Sequence, residues 1–244
     1  MCTLSWLPGA SGYFLLFSRD ERRARDAALP PVRHSITGVR ALAPIDPVGG
    51  GTWIGVNEFG VTAALLNRYD DAPTDPTAGT ISRGSLVRSA LAAKSARALI
   101  DAIHRRPLGP FQPFTVAAFD RRRAGWLADW NGQTLSEAET PAPGLVRTSS
   151  GKDQGEAERQ RAAVFAAMIA DDPLSAETLI RFHRGHQPER GPFSVCMHRD
   201  EAATRSLTLV RVSRRRAAMW YWHAAPCLAP LVTKRRLSLV GPRR

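Results

Sequence analysis

Residues 1–21 read MCTLSWLPGASGYFLLFSRDE, and this stretch decides the architecture that the sequence predicts. It contains two apolar runs, residues 3–7 and 13–17, whose residue types favour β-strands. Between them, residues 8–12 read Pro-Gly-Ala-Ser-Gly, a cluster typical of short hairpin loops. The stretch therefore predicts a β-hairpin.

The predicted hairpin brings the charged end of its second run to the start of its first. With the reversal centred near Ala10, antiparallel pairing places Cys2 roughly opposite Ser18. Arg19 and Asp20 follow directly in the chain, so one thiol meets one guanidinium and one carboxylate. This group is the first candidate site.

Removal of Met1 would leave Cys2 with both a thiol and a free α-amino group. An α-amine has a pKa of about 7.7–8.0 and a thiol a pKa of about 8.5, so the amine can accept the thiol proton with little energetic mismatch. A nearby Arg19 favours the thiolate, while Asp20 can hold the ammonium or orient the amine. A cysteine at this position can also be incidental, and that interpretation stays open.

The composition is that of a folded protein with a strong positive charge. The 244 residues fit one sizeable core, so we predict a single domain over residues 1–244. Net charge is +12 and comes almost wholly from arginine, which attracts carboxylate-bearing or phosphate-bearing ligands. The sequence has no zinc-finger spacing, RNP-type motif or single basic helix, so we expect no nucleic-acid partner.

Cysteine usage and hydropathy set the expected compartment. The three cysteines are too few and too odd in number for a disulfide framework, which predicts a reducing, cytoplasmic location. No run approaches the roughly 20 apolar residues of a spanning helix, so no membrane span is expected.

Beyond the hairpin, the periodicity predicts strands, two helices, strands, two helices and strands, an order that suits two stacked sheets with helices outside. A surface loop with one short strand is expected over residues 22–48, and a loose basic tail over about 230–244. The expected strands are 52–57, 61–66, 114–119, 125–130, 133–136, 145–148, 193–198, 206–212 and 218–222, and the clearest helices are 96–106, 156–170 and 176–184.

Several short stretches resemble, in order and spacing, the NRDE family, also called the Transport and Golgi organisation 2 family. They are Met1-Cys2-Thr3, Ser18-Arg19-Asp20-Glu21, Gly50 to Val56, Leu66-Asn67-Arg68 and Ser82-Arg83-Gly84. That family is similar to the N-terminal-nucleophile hydrolases of the penicillin V acylase and bile salt hydrolase group. The resemblance implies an α+β fold, a four-layer αββα sandwich of two stacked, mainly antiparallel sheets.

The resemblance also implies a chemistry. It suggests an amide hydrolase or acyltransferase with Cys2 as nucleophile, Arg19 and Asp20 setting its charge state. Asn67, at the end of a buried strand, resembles the side-chain donor that stabilises the oxyanion in the hydrolase group. The catalytic candidates are thus Cys2, Arg19, Asp20 and Asn67.

The chain departs from the family pattern at two places. Ser18 stands where the family has an asparagine before the arginine, and Ser149-Ser150 stands where it has Ser-Asn. The second change can remove an amide that binds substrate or the oxyanion.

The alternative function is a non-catalytic binding or trafficking protein on the same fold, since members of the family are connected with haem and with lipid or acyl-CoA handling. Tryptophans supply apolar surface and arginine-rich loops supply charge for such a ligand. The expected partner is a small acyl, amide or haem-like molecule; no cofactor is predicted, and haem stays open as a non-covalent ligand. The substrate-binding candidates are Trp53, Arg68, Ser150 and His198.

The sequence also contains a metal-like cluster, His183, His186, Cys196 and His198, whose residue types zinc accepts. The first pair falls at the end of a predicted helix, and the second alternates along a predicted strand that resembles part of the hydrolase group. We therefore expect no metal, and we expect Cys196 to be a small buried hydrophobe.

Overall fold

The computed structural model describes residues 2–69, 79–122, 125–140 and 143–241. The helices in this part are α1 (Gly84–Ala90), α2 (Ala96–His104), α3 (Gln154–Asp171) and α4 (Ala176–Arg184). The strands are β1 (Cys2–Gly9), β2 (Gly12–Arg22), β3 (Leu29–Ile36), β4 (Val39–Ile45), β5 (Ile54–Asn57), β6 (Thr62–Asn67), β7 (Phe114–Phe119), β8 (Gly125–Trp130), β9 (Leu135–Glu139), β10 (Gly144–Ser149), β11 (Ala202–Val212), β12 (Arg216–Trp222) and β13 (Val232–Ser238).

Two antiparallel sheets carry the fold. The first has six strands in the order β10-β1-β2-β11-β12-β13, and the second has seven in the order β3-β4-β5-β6-β7-β8-β9. The amino-terminal hairpin therefore lies inside the first sheet, with β10 on one side and β11 on the other. None of the described helices is both long and apolar enough to cross a membrane.

The predicted hairpin is present, but its register differs by one residue. Its two-residue turn lies between Gly9 and Gly12, so paired residue numbers sum to 21 and Cys2 faces Arg19 instead of Ser18. Gly12 is required here, because a Cβ would collide with the carbonyl group of Val212 on β11.

Successive side chains of the hairpin point to opposite faces of the first sheet, and each face packs against a different layer. Leu15 and Phe17 of β2 face the second sheet and pack in a core with Ile54 of β5, whereas Leu16 points outward to the layer of α3 and α4 and packs with Phe182. Helices α1 and α2 pack on the outer face of the second sheet. The four-layer αββα sandwich of two antiparallel sheets is thus confirmed.

Three local predictions are wrong. The expected loop over 22–48 contains the hairpin β3–β4, whose edge strand keeps its prolines at a register shift between Leu29 and Val32. The expected basic tail contributes Val232–Ser238, which pairs with β12 as the other sheet's edge strand. Residues 193–198 form no strand, only one isolated bridge between His198 and Ala203.

Candidate functional site

A cavity of about 410 Å³ opens at the start of β1 and the end of β2. Five of the candidate residues from the sequence line it: Cys2, Arg19, Asp20, Trp53 and Asn67. The antiparallel pairing of β1 with β2 brings the first three together, and the facing sheet supplies the other two. The structure therefore gathers the catalytic candidates in one place.

Cys2 lies between two neighbouring strands, opposite Arg19 on β2 and Ser149 on β10. Its backbone carbonyl accepts a hydrogen bond from the Thr148 hydroxyl at 3.2 Å. Burial raises the pKa of the Cys2 thiol, and the charge of Asp20 raises it further; the backbone N–H of Asp20, which donates to the sulfur, and the guanidinium of Arg19 oppose them. In this environment the thiol needs a base to become a nucleophile.

Arg19 is held in place on three sides. Its guanidinium carbon lies 4.6 Å from the centre of the Trp53 ring. Its Nη2 atom lies 3.2 Å from the carboxylate of Glu21 and 3.9 Å from that of Asp46. A stacked and paired arginine keeps its orientation, so a fixed positive charge faces the cavity.

Asp20 is a buried carboxylate at the base of the site. Its Oδ1 accepts a hydrogen bond from the Thr204 hydroxyl at 2.6 Å, and its Oδ2 lies 3.7 Å from Nη2 of Arg161. Burial raises the pKa of Asp20, while the positive charge of Arg161 and the Thr204 hydrogen bond lower it. Burial therefore disfavours the charged form of Asp20, whereas Arg161 and Thr204 favour it.

Arg161 was not identified from the sequence, although it is among the best connected buried side chains. Its Nη1 donates to the hydroxyls of Thr3 at 2.7 Å and Thr148 at 2.6 Å, and its Nη2 donates to the carbonyl of Ser194 at 2.9 Å. These bonds tie α3 to β1, to β10 and to the segment before β11.

The sequence did contain a signal for Arg161. On α3 the buried residues are Ala157, Arg161 and Phe165, spaced four apart on one helix face. An arginine in the middle of an apolar helix stripe needs a buried counter-charge or a set of acceptors. That requirement is a reason to look for the partner carboxylate.

Asn67 ends β6 at the cavity wall. Its Nδ2 donates to the Tyr69 hydroxyl at 3.1 Å, which uses one of the two N–H bonds of the amide. Arg83, which the sequence analysis gave no role, also lines the cavity and donates from Nη1 to the carbonyl of Pro113 at 2.9 Å. The sequence did offer a reason to consider Arg83, since it lies in Ser82-Arg83-Gly84, one of the stretches that resemble the family.

The other substrate-binding candidates lie outside this cavity. Arg68 contacts Asp129 at 3.4 Å beside a smaller cleft, and the backbone N–H of Ser150 donates to the side chain of Gln154 at 2.6 Å. His198 lines a different cavity of about 300 Å³.

His183 is separate from the other members of the predicted metal-like cluster. It is buried between two serines, with Nε2 2.7 Å from the Ser5 hydroxyl and Nδ1 2.8 Å from the Ser18 hydroxyl. Ser18 therefore faces His183, which explains how a serine is accommodated where the family pattern has an asparagine.

The remaining members meet a cysteine that the sequence analysis did not include. The ligand atoms of His186, Cys196, His198 and Cys227 all lie within 4.8 Å of one another. Cys227 belongs to the short 3-10 turn Pro226–Leu228, which follows β12. Among the described residues this is the group whose donor atoms suit a metal ion.

Solved structures share the fold. Penicillin V acylase from Agrobacterium tumefaciens matches with a TM-score of 0.60 and 12% identity, covering 96% of this chain and 85% of the other. A variant of conjugated bile acid hydrolase from Clostridium perfringens matches with a TM-score of 0.62 and 12% identity, covering 97% and 96%. The Caenorhabditis elegans N-acylethanolamine-hydrolyzing acid amidase orthologue matches with a TM-score of 0.62 and 12% identity, covering 86% and 92%.

Sequence comparison identifies the family. No curated protein matches the chain. The family model described as "Transport and Golgi organisation 2" matches residues 1–152, which include the hairpin, Trp53, Asn67 and β10. The resemblance predicted from short stretches is confirmed: this chain belongs to the Transport and Golgi organisation 2 family.

Proposed function

We propose that this protein is an N-terminal cysteine hydrolase or acyltransferase that acts on an amide or thioester of a small molecule. The observation that carries the proposal is the position of Cys2, whose side chain lines a cavity together with Arg19, Asp20 and Asn67. The similar solved structures are named as an acylase, a conjugated bile acid hydrolase and an amidase, so the fold accommodates cleavage of amide bonds.

In the proposed reaction, Met1 is removed and the α-amine of Cys2 acts as the base. The amine takes the thiol proton, the sulfur attacks the carbonyl carbon, and the carbonyl π electrons move to oxygen. When the tetrahedral intermediate collapses, the ammonium returns its proton to the leaving amine or thiol. A thioester then links the acyl group to Cys2, and water or an acceptor nucleophile releases it.

The surrounding groups have separate roles in this proposal. Asn67 donates its second N–H to the developing oxyanion. The guanidinium of Arg19 favours the thiolate, as its effect on the pKa of Cys2 indicates. Asp20 is buried and follows Arg19, the residue that pairs with Cys2 across the hairpin. In this proposal it accepts a hydrogen bond from the ammonium and orients the amine.

The cavity also restricts the substrate class. Its lining combines the Trp53 ring with four arginines and three carboxylates, so the arginines are in excess by one charge. Such walls suit an acyl compound that carries an apolar portion and a negative charge. We therefore propose an anionic acyl amide or acyl thioester as substrate.

The first experiment separates the amine mechanism from a thiol that acts alone. The full chain is produced behind a removable leader, and a protease cuts directly before Cys2. A panel of acylated amines and thioesters, with and without terminal carboxylates, is then assayed before and after the cut. The proposal predicts turnover only after cleavage, and it predicts none for Cys2→Ala, which has the same free amine.

The controls concern folding and the arginine charge. Circular dichroism checks that Cys2→Ala keeps the fold. Arg33→Met, on the exposed edge strand β3, is expected to keep activity, whereas Arg19→Met is expected to reduce it. Turnover by Cys2→Ala at the wild-type rate would contradict the proposal. Binding of acyl-CoA or haem with no turnover of any panel member in either protein would favour the alternative of a binding protein.

A further inference from the structure

Three separate segments of the chain bring two imidazoles and two thiols together. His186 follows α4, Cys196 and His198 precede β11, and Cys227 lies in the turn after β12. The backbone joins the first two segments, because the N–H of Cys196 donates to the carbonyl of Gly185 at 3.0 Å. The convergence is therefore part of the tertiary fold.

Three of the six distances between the donor atoms have the values expected in a coordination shell, and the other three are no longer than 4.8 Å. Nε2 of His198 lies 3.2 Å from Nε2 of His186, 3.6 Å from Sγ of Cys196 and 3.4 Å from Sγ of Cys227. A tetrahedral zinc ion, with bonds of about 2.0–2.1 Å to nitrogen and about 2.3 Å to sulfur, separates two nitrogens by about 3.4 Å and a nitrogen from a sulfur by about 3.6 Å. The observed spacings agree with these values within a few tenths of an ångström.

We propose that His186, Cys196, His198 and Cys227 bind one zinc ion in a tetrahedral Cys2His2 site. Two thiolates and two imidazoles suit zinc among the divalent metals, since sulfur disfavours magnesium and calcium. Four protein ligands leave no position for substrate, so the site is structural. The proposal replaces the sequence-based expectation that this region holds no metal.

The surrounding charges are compatible with that ion. Two thiolates cancel the charge of zinc, so the site is electrically neutral and tolerates the nearby Arg190. Nη2 of Arg190 lies 3.4 Å from Nδ1 of His198, on the side of the ring away from the other ligands. Because Arg190 is exposed, it can turn into solvent when Nδ1 carries the proton that coordination at Nε2 leaves there.

The zinc site would also help to hold Asp20, the carboxylate near Cys2, in position. The hydroxyl of Thr204 donates a hydrogen bond to Asp20. The same hydroxyl accepts a hydrogen bond from the backbone N–H of Met197 at 2.8 Å. Met197 lies between Cys196 and His198 in the chain. Zinc at the cluster would thus fix the segment that positions Thr204, and Thr204 in turn positions Asp20.

The test measures metal in the full-length protein purified without added metal and without an affinity tag. Elemental analysis is expected to find about one zinc per chain. After zinc removal under reducing conditions, titration with Co²⁺ is expected to give the visible bands of tetrahedral cobalt and a thiolate-to-cobalt charge-transfer band. Cys227→Ser and His186→Asn are expected to weaken zinc binding by more than the roughly 10- to 100-fold that loss of an outer partner costs.

Two matched variants keep the test specific. Cys2→Ala removes the third thiol, and His104→Asn removes an exposed histidine on α2; both are expected to retain about one zinc per chain. Circular dichroism of each variant shows whether it is folded. If a ligand variant fails to fold, the cobalt spectrum of the wild-type chain still decides.

Two results would overturn the proposal. One is a folded, reduced wild-type protein that binds neither zinc nor cobalt at the cluster. The other is a disulfide between Cys196 and Cys227 in protein purified under reducing conditions, detected as a cross-linked peptide pair that lacks two hydrogens.

Discussion

Nη2 of Arg161 lies 3.7 Å from Oδ2 of Asp20, and the two side chains are 1% and 0% exposed. The arginine comes from the outer helix layer and the aspartate from the strand that faces Cys2. A charge pair so deeply buried is costly to separate, because either ion alone would lack water. The position of Asp20 therefore depends on a residue far from it in the chain.

Replacement of Arg161 by Met is expected to destabilise the fold strongly. It removes the positive charge of Arg161 from beside the buried Asp20 and removes the donor to the hydroxyls of Thr3 and Thr148. Breaking one partner of a buried pair costs about 3–5 kcal/mol in free energy of unfolding. Urea denaturation of Arg161→Met against wild type measures this cost.

The matched control for this prediction is Arg159→Met on the same helix, whose arginine is 69% exposed. Its effect is expected to stay within about 0.5 kcal/mol. The double change Arg161→Met with Asp20→Asn is expected to recover part of the loss, since the buried negative charge is then removed together with the positive one. Equal stabilities for Arg161→Met and Arg159→Met would contradict this account of the pair.

The buried imidazole of His183 predicts a specific loss of stability in acid. Burial lowers the pKa of His183 to about 3, with a further contribution from the positive charge of Arg161. A histidine in the unfolded chain has a pKa of about 6.5, so between these two pKa values the unfolded chain binds one proton more than the folded chain. The free energy of unfolding therefore falls as pH falls below about 6.5, by about 1.4 kcal/mol per pH unit for this group.

The comparison that isolates His183 uses His183→Gln, a neutral side chain that can still hydrogen-bond a serine. Denaturation midpoints are measured from pH 7 down to about pH 4.5, well above the lower end of the window. The variant is expected to be less stable at pH 7 and to lose stability less steeply in acid. Parallel curves for the two proteins would show that His183 does not titrate as its burial requires.

Asn67 is expected to act on the chemical step. Loss of one oxyanion donor lowers kcat by about 10²- to 10³-fold, so Asn67→Ala is expected to reduce kcat with little change in KM. The measurement is steady-state kinetics on whichever acyl compound the substrate panel identifies. Asn131→Asp, in the turn before β9, keeps its side-chain oxygen acceptor and is expected to leave kcat unchanged. A raised KM with an unchanged kcat would assign Asn67 to ground-state binding.

The sequence predicted those features that depend on local pattern. The hairpin followed from two strand-forming runs around a turn cluster, and the gathering of Cys2, Arg19 and Asp20 followed from antiparallel pairing. The predicted register was wrong by one residue, because the turn is centred between Ala10 and Ser11. The sequence does not show which two residues of the turn cluster form the last pair before the turn. That shift moves Arg19 directly opposite Cys2.

Other features depend on contacts between distant segments, which one sequence does not specify. Cys227 comes close to Cys196 only when β11 and β12 have paired. The metal-like cluster predicted from the sequence therefore contained His183 and lacked Cys227. Strand β13 was missed because five of its seven residues are exposed, and its charged run resembles a tail. Met1 and residues 242–244 lie outside the described residues.

The central claim is that Cys2 becomes the first residue and carries the acyl group. The most direct measurement treats the full-length protein with an electrophilic thiol probe and maps the adduct by mass spectrometry of intact protein and peptides. The account predicts a chain that lacks Met1 and a single adduct on the peptide that begins at Cys2. A chain that retains Met1, with label on Cys196 or Cys227 instead, would contradict it.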